Sequence, residues 1–181
     1  MPISLVYYGS PILRQKAEPI GEITDVVKEL AREMSEWVRQ HRGLGLAAPQ
    51  VGYSWRLFVV CFPTYASDGR MLTGKEVTVF INPRLSRPSK ELWTREEACF
   101  SIPGVYCPVS RPMHITVEAM DLEGNTFSID LDGLPARIVM HENDHINGVL
   151  IVDRISAKER RAFDTLLRKI AKTHPPLDRT G

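Results

Sequence analysis

Residues 141–145, His-Glu-Asn-Asp-His, constrain this chain more than any other stretch. On a helix, side chains four apart share one face, with Cβ atoms about 5–6 Å apart. His141 and His145 can therefore converge on one divalent ion, with Glu142 beside any water that the ion holds. Hydrolytic metal sites usually carry three protein ligands and keep one position open. Two imidazoles leave a third ligand to come from elsewhere. Leu134 and Ile138 fall on the stripe of His141 and His145, so the histidines point where the helix is otherwise apolar. The rival reading is a helix with two satisfied histidines. Burying polar groups without partners costs about 1–3 kcal/mol each, which a metal would offset.

The motif helix is expected to begin near Leu134 or Pro135 and to close at Gly148. A first helix runs from Thr24, as N-cap, to about Arg42, with Val27, Leu30, Met34, Trp37 and Val38 on one face. Leu57–Phe62 and Val77–Ile81 read as buried strands joined by a turn-rich insert at Ser67-Asp68-Gly69. Arg84–Ser89, flanked by Pro83 and containing Pro88, reads as an edge or loop. Met113–Met120 and Thr126–Leu131 form a hairpin about Leu122-Glu123-Gly124-Asn125. A last helix opens with the capping box Ser156-Ala157-Lys158-Glu159 and reaches about Lys172, with Ala162, Leu166, Leu167 and Ile170 inward. Strands followed by a helix, without regular alternation, predict an α+β fold within one domain over residues 1–181: mostly antiparallel sheets packed around the motif helix, with a C-terminal helix.

A hydrophobic fraction of 43% is enough for a buried core, and a net charge of +1 argues for neither nucleic acid nor a membrane surface. No apolar run reaches the roughly 18 residues of a spanning helix. The stretch Met1–Tyr8 lacks the basic start and apolar run of a secretory signal. Three cysteines without framework spacing suit reduced thiols in the cytoplasm. Cys61, in a strand-like apolar run, and Cys107, before Pro108, read as small buried hydrophobes. Cys99 is open to that reading, or to a role as ligand or nucleophile. Two other function classes fit the same helix. A different metalloprotease would need another histidine or glutamate downstream, but His174 is the only later histidine and lies in a proline-flanked tail. A non-catalytic protein could keep a metal for structure or bind N-terminal peptides, yet it would have no use for Glu142.

Three segments, in this order, resemble the peptide deformylases: Gly43-Leu44-Gly45-Leu46-Ala47-Ala48-Pro49-Gln50, Glu97-Ala98-Cys99-Phe100-Ser101, and His141-Glu142-Asn143-Asp144-His145. The likeness extends from Tyr8-Gly9-Ser10-Pro11-Ile12-Leu13 to the final helix. It departs from the family pattern at Ala98, where glycine is usual, and at Phe100, where leucine or methionine is usual. The resemblance implies a metal-dependent hydrolase that removes the N-formyl group from the initiator methionine of newly made polypeptides. Cys99, His141 and His145 would be the ligands and water the fourth. Glu142 would act as general base and acid as that water attacks the formyl carbon. The Gln50 amide and the Phe100 backbone N–H would steady the oxyanion. The resemblance favours Fe²⁺, with Zn²⁺, Ni²⁺ or Co²⁺ able to substitute, whereas ligand chemistry alone suggests zinc.

Further expectations attach to single residues. Gly45 can hydrogen-bond an extended peptide laid beside a strand. Leu44, Phe100, Tyr106 and Ile138 are candidate walls for a methionine side chain. Glu97 can accept the ring N–H of a ligating histidine, and Asp144, on another face, can pair with Arg111. Partners are N-formylmethionyl nascent peptides and, by the family's association of a C-terminal helix with ribosome contact, the ribosome through Arg160, Arg161, Arg168, Lys169 and Lys172. Neither DNA nor a membrane is expected as a partner.

Overall fold

In the computed structural model residues 3–68, 70–72, 74 and 76–175 are described. The fold is α+β. Its largest sheet has five antiparallel strands in the order β1-β2-β5-β8-β9: Gly45–Ala47, Leu57–Val60, Thr78–Ser86, His114–Met120 and Thr126–Asp132. Every residue of β2 is buried, because both faces of the sheet are covered there. Leu57 and Val59 meet the apolar face of α1 (Asp25–Gln40), made of Val27, Leu30, Ala31, Met34 and Val38. Phe58 and Val60 point the other way, onto Ile138, Val139 and Ile146 of α2 (Gly133–His145) and its C-terminal end. The two-residue alternation of side chains explains why an unbroken run Leu-Phe-Val-Val serves two layers at once. Removing Phe58 from this layer would cost about 3–5 kcal/mol.

A second antiparallel hairpin, β6 (Leu92–Cys99) with β7 (Ile102–Pro112), stands apart from that sheet. The sequence pattern hides it, because Pro103, Pro108 and Pro112 weaken the strand signal. The prolines sit on an edge strand whose other residues alternate, with Val105, Cys107, Val109 and Arg111 buried. A short hairpin, β3 (Thr64–Tyr65) and β4 (Met71–Leu72), fills the turn-rich insert. Gly69 of the expected turn lies outside the described residues. The expected hairpin turn before β9 is present, with the Asp121 carboxylate accepting from the Glu123 and Asn125 N–H groups.

Arg84–Ser89 is the expected edge and loop: Arg84–Ser86 continue β5 and pair with β8 alone, and residues 87–89 are irregular. The strand passes Pro83 through a bulge between Ile81 and Arg84, with Asn82 at φ +50°. Asn82 is held there by its side-chain amide, which bonds the N–H and the C=O of Ile20. The last helix, expected as one, is two pieces, α3 (Ala157–Arg161) and α4 (Asp164–Thr173). The capping box is real: Ser156 and Glu159 bond each other's backbone N–H. The break at Ala162-Phe163 leaves Ala162 exposed, so Leu167 and Ile170 carry the buried face onto β7. No helix among the described residues is long and apolar enough to cross a membrane.

Candidate metal centre

Helix α2 and the end of β6 meet at one point. His141 and His145, one turn apart, bring their Nε2 atoms to 3.3 Å, and Cys99 Sγ lies 3.3 Å from His145 Nε2. The three donor atoms lie within 4.8 Å of one another. A tetrahedral ion with bonds of about 2.0–2.1 Å to nitrogen and 2.3 Å to sulfur would have edges near 3.3–3.6 Å. One thiol and two imidazoles so spaced suit a divalent transition metal. Cys99 reaches this point because β6 and β7 close tightly, Cys99 opposing Ile102 after a register shift at Ala98. Cys61 and Cys107 are buried and free, away from this cluster. His174 stacks on Tyr7, with ring centroids 3.9 Å apart, and takes no part.

Behind the cluster lies a dense ionic lattice. Glu97, from β6, accepts the Nδ1–H of His141 at 3.0 Å, which fixes the tautomer with Nε2 turned to Cys99 and His145. Arg111, from β7, grips Glu97 with two N–H groups at 2.7 and 2.8 Å and reaches Asp144 at 2.9 Å. The expected placements of Glu97 and of the Asp144–Arg111 pair thus coincide with the geometry. Two further cations were not read from the sequence. Arg137 bonds Glu97 and the Val109 and Trp93 carbonyls, and Arg154 bonds Asp144. A signal for Arg137 existed, since it lies four residues before His141 on the same helix and would be buried unpaired without a carboxylate nearby. Burial pushes the Glu97 carboxyl up, but the hydrogen bonds from Arg111 and His141 hold it far below the usual range. Burial and the neighbouring His141 keep His145 well below its ordinary value, in the neutral form a ligand needs.

In front of the cluster fewer hydrogen bonds are made. Glu142 is buried, and its Oε2 has no hydrogen-bond partner among the described residues. Burial lifts its carboxyl to about 7, against the pull of His141. Gly45, on β1, is glycine of necessity: a Cβ there would lie 2.8 Å from Glu142 Cγ. Gln50 follows β1 in a single 3-10 turn (Ala48–Val51). Its Oε1 accepts from the Ala47 N–H at 2.8 Å, which turns its amide nitrogen toward Ser101 Oγ at 3.2 Å and Cys99 Sγ at 3.5 Å. Ser101 was not anticipated. A cavity of about 490 Å³ opens from these groups, and Leu44, Phe100, Tyr106 and Ile138 are among its walls. Ala98 sits in extended strand and is not among the residues at positive φ, so alanine is unstrained there. The Phe100 ring meets the edge of Trp37, with centroids 4.8 Å apart, and lies over Gly43.

A family model described as polypeptide deformylase matches residues 2–161. The chain belongs to the polypeptide deformylase family. It is 45% identical over 153 residues to a peptide deformylase of Thermomicrobium roseum, covering 84% of this chain and 85% of that one. Among solved structures, a plant peptide deformylase superposes with a TM-score of 0.85 at 35% identity, over 96% of this chain and 91% of its own. The Thermus thermophilus peptide deformylase gives 0.81 at 35%, over 96% and 98%. Peptide deformylases are metal-dependent hydrolases that take the formyl group from the initiator methionine of nascent polypeptides, and this chain is an enzyme of that family.

Proposed function

We propose that Cys99, His141 and His145 hold one divalent ion, Fe²⁺ by family, with Zn²⁺, Ni²⁺ or Co²⁺ able to replace it, and that Glu142 carries the proton in deformylation. The observation behind this reading is the convergence of three donor atoms beside a buried carboxylate, one oxygen of which has no hydrogen-bond partner among the described residues. When bound, the ion supplies a Lewis acid that lowers the pKa of water from 15.7 toward about 7. The remaining work falls to the chain. The free edge of β1, paired on one side only, receives the extended N-formylmethionyl peptide at Gly45. Leu44, Phe100, Tyr106 and Ile138 surround the methionine side chain and exclude water. Glu142 takes a proton from the attacking water and returns it to the departing amine. The Gln50 amide, held by Ala47, and the Phe100 N–H donate to the oxyanion that forms on the formyl group.

The exposed residues of α3 and α4, Arg161, Arg168, Lys169 and Lys172, form the surface we assign to the ribosome in the cytoplasm. Unchanged co-sedimentation with ribosomes after these four are replaced by glutamine would remove that assignment. The central test is mass spectrometry of formyl-Met-Ala-Ser incubated with anaerobically purified, metal-analysed enzyme, since a thiolate beside a redox-active ion oxidises readily. Loss of the formyl mass alone is expected. Internal cleavage with the formyl group intact would refute the reading.

A further inference from the structure

A second cleft, of about 590 Å³, is walled by Lys16, Ala17, Glu18, Pro19, Arg56 and the Asn82–Arg84 bulge, with Asn147 also lining it. Its frame is laced by backbone bonds. Ala17 N–H bonds Ile146 C=O, Glu18 N–H bonds Ser54 C=O, Arg56 N–H bonds Glu18 C=O and Asn82 N–H bonds Arg56 C=O. The cleft is therefore built before any ligand arrives.

Its charge is unusual for this molecule. Arg111, Arg137 and Arg154, around the metal cluster, each face a carboxylate. Arg56 is half-buried yet bonds only neutral acceptors, Asn147 Oδ1 at 3.2 Å and the Pro83 carbonyl at 3.1 Å. Burial and the neighbouring Arg84 both push its guanidinium below the ordinary range. Lys16 and Arg84 are exposed. Glu18 is the one carboxylate in the wall, and among the described residues no carboxylate forms an ion pair with Lys16, Arg56 or Arg84. An anion in the cleft would relieve the repulsion between the two guanidiniums and find N–H donors that nothing else uses.

We propose that this cleft binds an oxyanion of the phosphate class, with Lys16, Arg56 and Arg84 as its cationic ligands. A tetrahedral polyanion suits three cations lining one cleft better than a halide, because guanidinium groups bind it through paired N–H donors. The source is either a free phosphate or pyrophosphate, or a phosphate of an RNA strand. Asn147 lies two residues beyond His145 and bonds both Arg56 and the Asn143 carbonyl, so the cleft abuts the end of α2.

Calorimetric titration of the metal-loaded full chain with inorganic phosphate and pyrophosphate, against chloride at matched ionic strength, tests this. The variants are Lys16→Gln/Arg84→Gln, whose side chains are exposed, and Arg56→Gln. Saturable binding in the parent is expected, weakened at least about tenfold in the double variant, which removes two charged hydrogen-bond donors. Deformylase activity without added anion should be unchanged in that variant. Binding that survives the double variant, as it would at the metal, overturns the proposal. So does an absence of binding beyond chloride for phosphate, pyrophosphate and a short single-stranded RNA alike. Binding of the RNA alone, lost in the double variant, supports the cleft with nucleic acid as the source of the phosphate. Deformylase activity is measured separately, so inactivity of the metal site and failure of the cleft remain distinguishable.

Discussion

Two carboxylates within one wall of the site live in opposite surroundings. Behind the Cys99–His141–His145 cluster, Glu97 accepts four hydrogen bonds, from Arg111 twice, Arg137 and His141, and is held strongly ionised. In front of it, Glu142 is as deeply buried but has an oxygen with no hydrogen-bond partner among the described residues, and its carboxyl rises to about 7. Burial alone therefore does not decide the role. A carboxylate saturated with donors becomes part of the frame, and one left unsaturated can exchange a proton.

The largest effect that can break this contrast is at the unsaturated residue. Glu142→Gln should lower kcat for formyl-Met-Ala-Ser by about 10³-fold or more, since positioned acid/base groups contribute roughly 10²–10⁴. Metal content and urea stability should hold, because no ion pair is lost. A variant as active as the parent would end the assignment of the proton to Glu142. Next comes the saturated residue. Glu97→Gln leaves Arg111 and Arg137 short of charge and should cost about 3–5 kcal/mol in urea unfolding. It should also weaken metal binding about 10–100-fold, read by competition with a chelator.

The pH dependence of stability should separate the two further. The folded pKa of Glu97 lies below its unfolded value, so as pH falls the unfolded chain takes up the proton first. Stability from this group is complete above the ordinary carboxylate range and is lost progressively below about pH 5. Urea midpoints between pH 6 and pH 3 should fall less steeply in Glu97→Gln than in the parent. A smaller effect is expected at the donor beside them. Gln50→Ala should reduce kcat about 10²-fold with little change in metal content. Smallest of all, Ala98→Gly, between Glu97 and Cys99, should lose no more than about 1 kcal/mol and leave kcat/KM intact, because extended backbone gains nothing from glycine.

The elements that could be read were those whose signal is local. The faces of α1, the run at β2 and the β8–β9 hairpin follow from periodicity and turn chemistry. The β6–β7 hairpin escaped because its prolines suppress the strand signal, although they fall where no ladder partner is required. Continuation of β5 past Pro83 depends on Asn82 clamping Ile20, a contact 62 residues distant in sequence that no window contains. The centre divides the same way. His141, His145 and Glu142 share one helical turn and declare themselves, while Cys99 was identified as the sulfur candidate only through its resemblance. Arg137, Arg154 and Ser101 act through tertiary contacts alone and were missed.

The packing of Gly45 against Glu142 ties two jobs to one volume. The strand edge that would dock a peptide and the side chain that would ferry its proton interlock, so neither can drift without displacing the other. A saturation library at codon 45 should return almost nothing but the parental residue among active clones, and evolution of new peptide preferences must begin at the outer walls instead.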